Sequence, residues 1–290
     1  MTEVTDGLVV VDKPAGITSH DVVSRVRRLA GTRKVGHAGT LDPMATGVLV
    51  LGVNRATRLL GHLMLTEKAY DATVRLGAST TTDDAEGEVL ATTPAGHLTD
   101  AAVREAITAF VGDIEQVPTA VSAIKVDGKR AYQRVRDGEE VALKARPVTV
   151  HEIVVGQIRR PDEAGLDADL SVRCSSGTYI RAIARDLGAA LGVGGHLTAL
   201  RRTAVGPYAL EQAHTLDELA DEFRLLPIGE AARQYFPAVD LDAEQATDVG
   251  FGRKIDLALD GLTALFSPEG DFLALYEPRG GQAAAVAVFR

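Results

Sequence analysis

The chain is nearly without cysteine. Cys174 is the one thiol in 290 residues, so no intrachain disulfide is possible and no thiolate cluster exists to hold zinc or an iron–sulfur centre. A reducing, cytoplasmic setting is the expectation. Long hydrophobic runs are missing as well. The first apolar stretch, Leu8 to Val11, follows Glu3 and Asp6 and is far below the ~18 residues that cross a bilayer, so neither secretion nor membrane insertion is expected. The seven histidines show no paired helical spacing that would clamp a metal. Gly31 to Gly36 begins like a phosphate loop, but His37 stands where the lysine belongs, which argues against ATP hydrolysis. Gly250-Phe251-Gly252 lacks the third glycine of a dinucleotide fingerprint, and there is no G-x-S-x-G elbow. Internal repeats and low-complexity tracts are absent.

What is present is enough apolar material, 46% of residues, for one large domain and one small one. The charge is unevenly spread. Residues 211 to 290 hold 6 Lys/Arg and 15 Asp/Glu, which alone equals the formal charge of −9, so residues 1 to 210 are neutral. Within that neutral part, Lys125, Lys129, Arg130, Arg134 and Arg136 stand against Asp127 alone. Likewise Arg173, Arg181, Arg185, Arg201 and Arg202 stand against Asp186. Such runs are able to track phosphates, although a solvated charged face is the commoner meaning of any one cluster.

Periodicity predicts a buried strand at Leu8 to Val11, a turn at Lys13 to Gly16, and a helix carrying Val22, Val23, Val26, Leu29 and Ala30, capped by Thr18 or Ser19. A glycine-rich stretch, Gly31 to Gly47, precedes a buried strand, Val48 to Val53. A helix over Asn54 to Leu65 with Leu59, Leu60 and Leu63 inward comes next. Ala69 to Leu76 alternates as a half-buried strand. Gly77 to His97 reads as a long loop or weak hairpin. The next helix has Ala102, Val103, Ala106, Ile107 and Phe110 on its face, with Thr99 or Asp100 at the cap. Pro147 to Ile158 and Leu170 to Cys174 read as strands around a loop, Pro161 to Asp169, followed by a helix, Tyr179 to Leu191, and a turn, Gly192 to Gly195. After Leu226-Pro227 the helical signal fades, and Phe236 to Arg290 reads as a small β-rich unit that should pack on the larger one. The class is α+β with a mixed, largely antiparallel sheet. The expected division is 1–230 and 236–290.

The segment that stands out chemically is Gly36-His37-Ala38-Gly39-Thr40-Leu41-Asp42-Pro43-Met44-Ala45-Thr46-Gly47. Three glycines and two alanines near one Asp leave backbone open for close approach of a bulky ligand. Taken locally, Asp42 followed by Pro43 is equally the signature of a helix N-cap with proline at the first position.

This segment resembles the catalytic motif of the pseudouridine synthases, in the tRNA pseudouridine synthase B branch. Further elements resemble that family in order: Asp12 to Ser19, Ala69-Tyr70, Ser122 to Tyr132, Cys174 to Arg181, and Leu200-Arg201-Arg202. The resemblance implies a catalytic fold around an eight-stranded sheet, a small C-terminal RNA-binding domain of the PUA type, and no metal or organic cofactor. It implies isomerisation of uridine to pseudouridine in the T-loop of transfer RNA, at position 55, by a monomer whose partner is the T-arm stem-loop. In this reading Asp42 attacks the sugar or removes a ribose proton, Arg181 pairs with it, and Tyr70 lies against the uracil. Tyr179 and Leu200 form a pocket wall, and His37 fills the place the flipped base leaves. Lys13, Lys125, Lys129, Arg130 and Arg202 are the implied phosphate contacts. Without the resemblance, Arg181 reads as a phosphate contact or surface charge and the aromatics as ordinary half-buried residues. Three rivals remain: an RNA-folding chaperone, a synthase for another RNA, and a glycoside hydrolase using Asp83 or Asp84 as its second carboxylate.

Overall fold

The computed structural model describes residues 6–119, 125–126, 129–130, 143–162 and 164–289. Eighteen strands are assigned among them. These are β1 (Gly7–Lys13), β2 (Val35–His37), β3 (Thr46–Val53), β4 (Lys68–Leu76), β5 (Ala78–Thr80), β6 (Val89–Thr92), β7 (Gly112–Gln116), β8 (Lys125–Val126), β9 (Lys129–Arg130), β10 (Arg146–Arg159), β11 (Leu166–Cys174), β12 (Gly195–Val205), β13 (Tyr208–Ala209), β14 (Leu226–Pro227), β15 (Ala238–Asp240), β16 (Thr263–Phe266), β17 (Phe272–Arg279) and β18 (Gln282–Val288). The helices are α1 (Ser19–Leu29), α2 (Leu60–Met64), α3 (Asp100–Ile107), α4 (Ile180–Ala190), α5 (Leu216–Asp221), α6 (Ile228–Tyr235) and α7 (Ala243–Gly250).

The main sheet runs β14-β1-β3-β12-β4-β11-β10-β7, with β2 beside β3 and β13 beside β12. All its pairings are antiparallel except β3 with β12. The fold is therefore mixed α+β with a largely antiparallel sheet, as the periodicity predicts. The alternation in β4 places Tyr70, Ala72, Val74 and Leu76 in the core. Its opposite face is a polar ladder, with Ser171 donating to Asp71 (2.7 Å), Thr73 donating to Asp169 (2.8 Å) and Arg75 paired with Asp167. β3 is apolar throughout because both its faces are covered: Leu49, Leu51 and Val53 join the core under α1, and Val48 and Val50 join the cluster of Leu60, Leu63 and Tyr208.

Helix α1 starts where its residues dictate. Thr18 and Asp21 form a capping box, so Thr18 rather than Ser19 is the cap. Thr99 caps α3 by accepting from Ala102 N (3.1 Å), with no box. Of the two readings of Gly77 to His97, the hairpin is the one observed: β5 and β6 pair antiparallel, and Leu197 N donates to Asp83 O (3.0 Å). Three expectations need correction. The helix expected over Asn54 to Leu65 is a 3-10 turn, Asn54–Arg58, followed by the short α2, although Leu59, Leu60 and Leu63 are buried as expected. The loop between β10 and β11 is shorter than Pro161 to Asp169, because β11 begins at Leu166. The helical signal does not end at Pro227, because α6 follows it directly.

The second sheet, β15-β16-β17-β18, packs on the first unit through Leu59, which lies in one cluster with Ala232, Phe236, Phe266 and Phe272. Hydrogen bonds from Arg58 to Val288 O (2.6 Å), from Arg55 to Phe289 O and from Tyr235 to His62 O (3.2 Å) cross the same seam. No helix among the described residues is long and apolar enough to cross a membrane.

Candidate active site

Asp42 lies between β2 and β3 in a turn closed by Ala45 N donating to Asp42 O (3.1 Å), and no helix begins there. The cap reading of Asp42-Pro43 is thereby excluded. The turn is tied down by buried donors on every side. Lys13 Nζ donates to Pro14 O (2.8 Å), Ile17 O (2.7 Å) and Pro43 O (3.2 Å). Ser19 Oγ donates to Leu41 O (3.0 Å) and accepts from Leu41 N (2.9 Å). Arg202 reaches Gly39 O (3.2 Å), Thr40 O (3.4 Å) and Val48 O (2.7 Å). Two cations and a serine thus satisfy the carbonyls of Gly39, Thr40, Leu41 and Pro43, which a loop in this position would otherwise leave unpaired.

Gly47 makes this arrangement possible. Its φ is +98°, and a Cβ there would lie 2.2 Å from Arg202 O, so β3 and β12 approach as closely as they do only over glycine.

Arg181, buried at the start of α4, joins two carboxylates. Its Nε lies 3.1 Å from Asp42 Oδ2 and its Nη1 3.2 Å from Asp84 Oδ2, while Nη1 also donates to Thr82 O (2.8 Å). Asp84 is 2% exposed and is fixed by Thr82 Oγ1 (2.5 Å) and Glu86 N (3.1 Å). Asp42 keeps 36% of its side chain open. Loss of hydration pushes its carboxyl above the ordinary carboxylate range; Arg181 opposes the rise, Asp84 adds to it, and Lys13 opposes it. Burial likewise pushes the Lys13 ammonium down to about 8.

The open side of Asp42 faces a cavity of about 290 Å³ lined by Thr40, Met64, Tyr70, Tyr179, Arg181 and Leu200, among others. Burial raises the Tyr70 phenol above its usual range, with Arg202 opposing, so the hydroxyl is neutral near pH 7. Tyr179 is held through its backbone by Gln116, which accepts from Tyr179 N (2.8 Å) and donates to Tyr179 O (3.1 Å). An open carboxyl group paired with a buried guanidinium, at the end of a cleft walled by two tyrosines and a leucine, suits attack on the sugar of a flat, stacked ring.

The family whose description is "TruB family pseudouridylate synthase (N terminal domain)" matches residues 27–180. A relative from Thermobifida fusca called tRNA pseudouridine synthase B is 63% identical over 98% of both chains. The chain belongs to the TruB family. Two C-terminal families of the same enzymes match residues 181–236 and 236–290. A TruB relative from Nocardia farcinica, of the same name, is 61% identical over 98% of this chain and 93% of its own. Among solved structures, a Cbf5–Nop10–Gar1 complex aligns with a TM-score of 0.73 at 25% identity, covering 99% of this chain and 85% of that one. An H/ACA RNP bound to a substrate RNA containing 2'-deoxyuridine aligns with a TM-score of 0.75 at 24% identity over 99% and 86%, which establishes the shared fold.

Of the residues singled out in the sequence, this TruB chain brings Asp42, Tyr70, Tyr179, Arg181 and Leu200 around one cavity. His37 does not line it; its ring packs edge-on against His20 at 5.9 Å. Lys13 and Arg202 are 0% and 1% exposed, so their assignment as phosphate contacts is overturned: both are spent on backbone carbonyls. The basic run from 173 to 202 is not one phosphate face either. Arg173 pairs with Glu67, Arg185 with Asp83 and Asp186, and Arg201 with Asp12. Lys125 lies in β8, and Lys129 and Arg130 lie in β9, but their side chains fall outside the described residues, as do Arg134, Arg136 and most of the Ser122 to Tyr132 motif. Sequence reasoning missed Gln116 and the strut role of Lys13, and it named Asp84 only as a hydrolase carboxylate, not as a partner of Arg181. For Asp84 the available signal was an acidic pair in a segment without period, and that pair becomes informative only once β12 holds it against Arg181.

Proposed function

We propose that the protein isomerises uridine to pseudouridine in transfer RNA, at T-loop position 55, with Asp42 as the reacting carboxylate. The observation that carries the reading is the Asp42–Arg181–Asp84 arrangement at the end of the Tyr70–Tyr179–Leu200 cavity. The bond from ribose to uracil N1 breaks, the base turns, and C5 bonds to the same sugar carbon; the proton lost from C5 is balanced by one gained at N1. Asp42 starts this either as a nucleophile at the sugar carbon or as the base that takes a ribose proton, and both roles need the ionised form that Arg181 orients. The incomplete hydration that raises its pKa also makes the carboxylate a stronger base. Tyr70, Tyr179 and Leu200 hold the uracil after it leaves the loop stack. The reading takes the T-arm stem-loop as the partner and a single chain as the working unit. It places the enzyme in the cytoplasm, with residues 1–230 as the catalytic unit and 236–290 as a PUA-like RNA-binding unit.

The test is chemical mapping of pseudouridine in a T-arm stem-loop incubated with purified protein and no added cofactor. Conversion of the T-loop uridine is expected, and Asp42→Asn should abolish it while RNA binding persists. Turnover by the Asn variant would overturn the assignment of Asp42.

A further inference from the structure

Between Asp21 and Asp42 the chain has no acidic residue, and it carries Arg25, Arg27, Arg28, Arg33 and Lys34, all exposed. No ion pair involves any of the five among the described residues. This contrasts with the arginines from 173 to 202, which are buried or paired. Of the neighbouring carboxylates, Asp21, Glu218 and Glu222 are engaged elsewhere, although Asp21 still acts on Arg25 through its charge, and Asp217 and Asp221 on α5 are exposed. Asp21 is held in the capping box by Thr18 N (2.8 Å) and Thr18 Oγ1 (2.6 Å). Helix α5 packs on α1, but Glu218 accepts from Thr215 and Glu222 pairs with Arg224.

The segment is rigidly tied to the site. Ser19 at the start of α1 bonds both ways to Leu41, the residue before Asp42. At the far end, Arg27 donates to Val35 O (3.1 Å) and Asn54 N donates to Lys34 O (2.8 Å), anchoring the turn to β2 and β3. The 11-residue α1 therefore spans about 16 Å from the catalytic turn to its cationic end. That is a fixed positive surface one helix length from Asp42, with Arg27 serving the anchor and four cations left over.

We infer that Arg25, Arg28, Arg33 and Lys34 form a docking surface for the sugar–phosphate backbone of the RNA helix that carries the flipped uridine. The inference rests on the RNA-modifying reading above. A polyanion at this distance would gain from cations that form no ion pair among the described residues, and counterion release would supply the affinity. The overall negative charge is no obstacle, because it resides in the tail.

The test measures equilibrium binding of a T-arm stem-loop as a function of salt, in the Asp42→Asn background so that no turnover intervenes. Arg25→Gln with Arg28→Gln, and Arg33→Gln with Lys34→Gln, are each expected to flatten the slope of log Kd against log salt by about 1.5, and the fourfold change by about 3. At ~100 mM salt the fourfold variant should bind about tenfold or more weakly. Arg224→Gln, at a paired cation, is the control and should leave the slope unaltered. An unchanged slope in the fourfold variant, or in both pairs if the fourfold protein does not melt like its parent, overturns the docking surface. Equal flattening by Arg224→Gln overturns it as well. The activity is read separately, as pseudouridine formed in the same stem-loop by the unaltered protein, so binding without conversion would strike the proposed function and spare the surface.

Discussion

Asp42 and Asp84 share one guanidinium, and their unequal exposure divides the work between them. Asp84 is sealed beneath Arg181, whereas Asp42 opens to the cavity. Asp84 carries charge as well as hydrogen bonds: it raises the Asp42 pKa. Asp84→Asn is therefore expected to move the acid limb of the pH–rate profile to lower pH, because Asp42 ionises more readily without it. The maximal rate should fall by about one to two orders of magnitude as Arg181 loses its second anchor. Single-turnover rates against pH check both effects, and a limb that stays in place would make Asp84 a purely geometric support. Lys68 offers a stability counterpart. It is buried, donates to Met64 O (3.0 Å) and Thr66 O (2.8 Å), and burial pushes its pKa down to about 8. Between that value and the ordinary lysine value near 10.4, the unfolded chain holds a proton that the native state lacks, so stability gains as pH rises. The urea midpoint of the parent relative to Lys68→Met should accordingly increase from pH 7.5 to pH 9.5.

At the scale of elements, the clearest readings of the sequence were those set by short-range pattern. The alternation of β4 and the capped, periodic α1 came through with Tyr70 and Thr18 in their observed roles. The element that was overlooked, β12, sits at the middle of the main sheet yet contains Arg201 and Arg202, whose charges hide a strand until one sees that Arg202 is a buried strut. Asp42-Pro43 shows the same limit, because a cap and a catalytic turn look alike until the next residues are seen to enter β3 rather than a helix. The β3–β12 seam is the most sensitive contact between elements. Gly47→Ala would force a Cβ against Arg202 O at a φ of +98° and should cost about 3 kcal/mol or more, with activity lost in step. Thermal melting and the single-turnover rate measure the two losses.

For the whole molecule, the two sheets are joined by a shared apolar cluster rather than by a bare linker, since Leu59 packs among Ala232, Phe236 and Phe272. Phe236 stacks edge-on with Tyr235 at 4.6 Å and with His62 at 5.7 Å. One cooperative calorimetric transition is expected. Phe236→Ala should lower stability by about 3 to 5 kcal/mol and split that transition in two, by loosening the seam. The small acidic unit was foreseen as packing on the larger one. The helix α6 that brings Ala232 and Tyr235 to the contact was not, because Pro227 reads as a stop when it in fact precedes the first turn.

The parallel pairing of β12 with β3 also sets a timetable. The strand that completes the wall behind Asp42 begins at Gly195, while its partner ends at Val53. At a synthesis rate of 5–20 residues per second, roughly 7 to 28 seconds separate their emergence from a ribosome. Through that interval β3 and β4 have complete hydrogen-bonding edges and no strand between them, so the catalytic turn is among the earliest segments made and among the last to be enclosed. A nascent chain of this protein is therefore most exposed to mispairing at the strands that will flank Asp42.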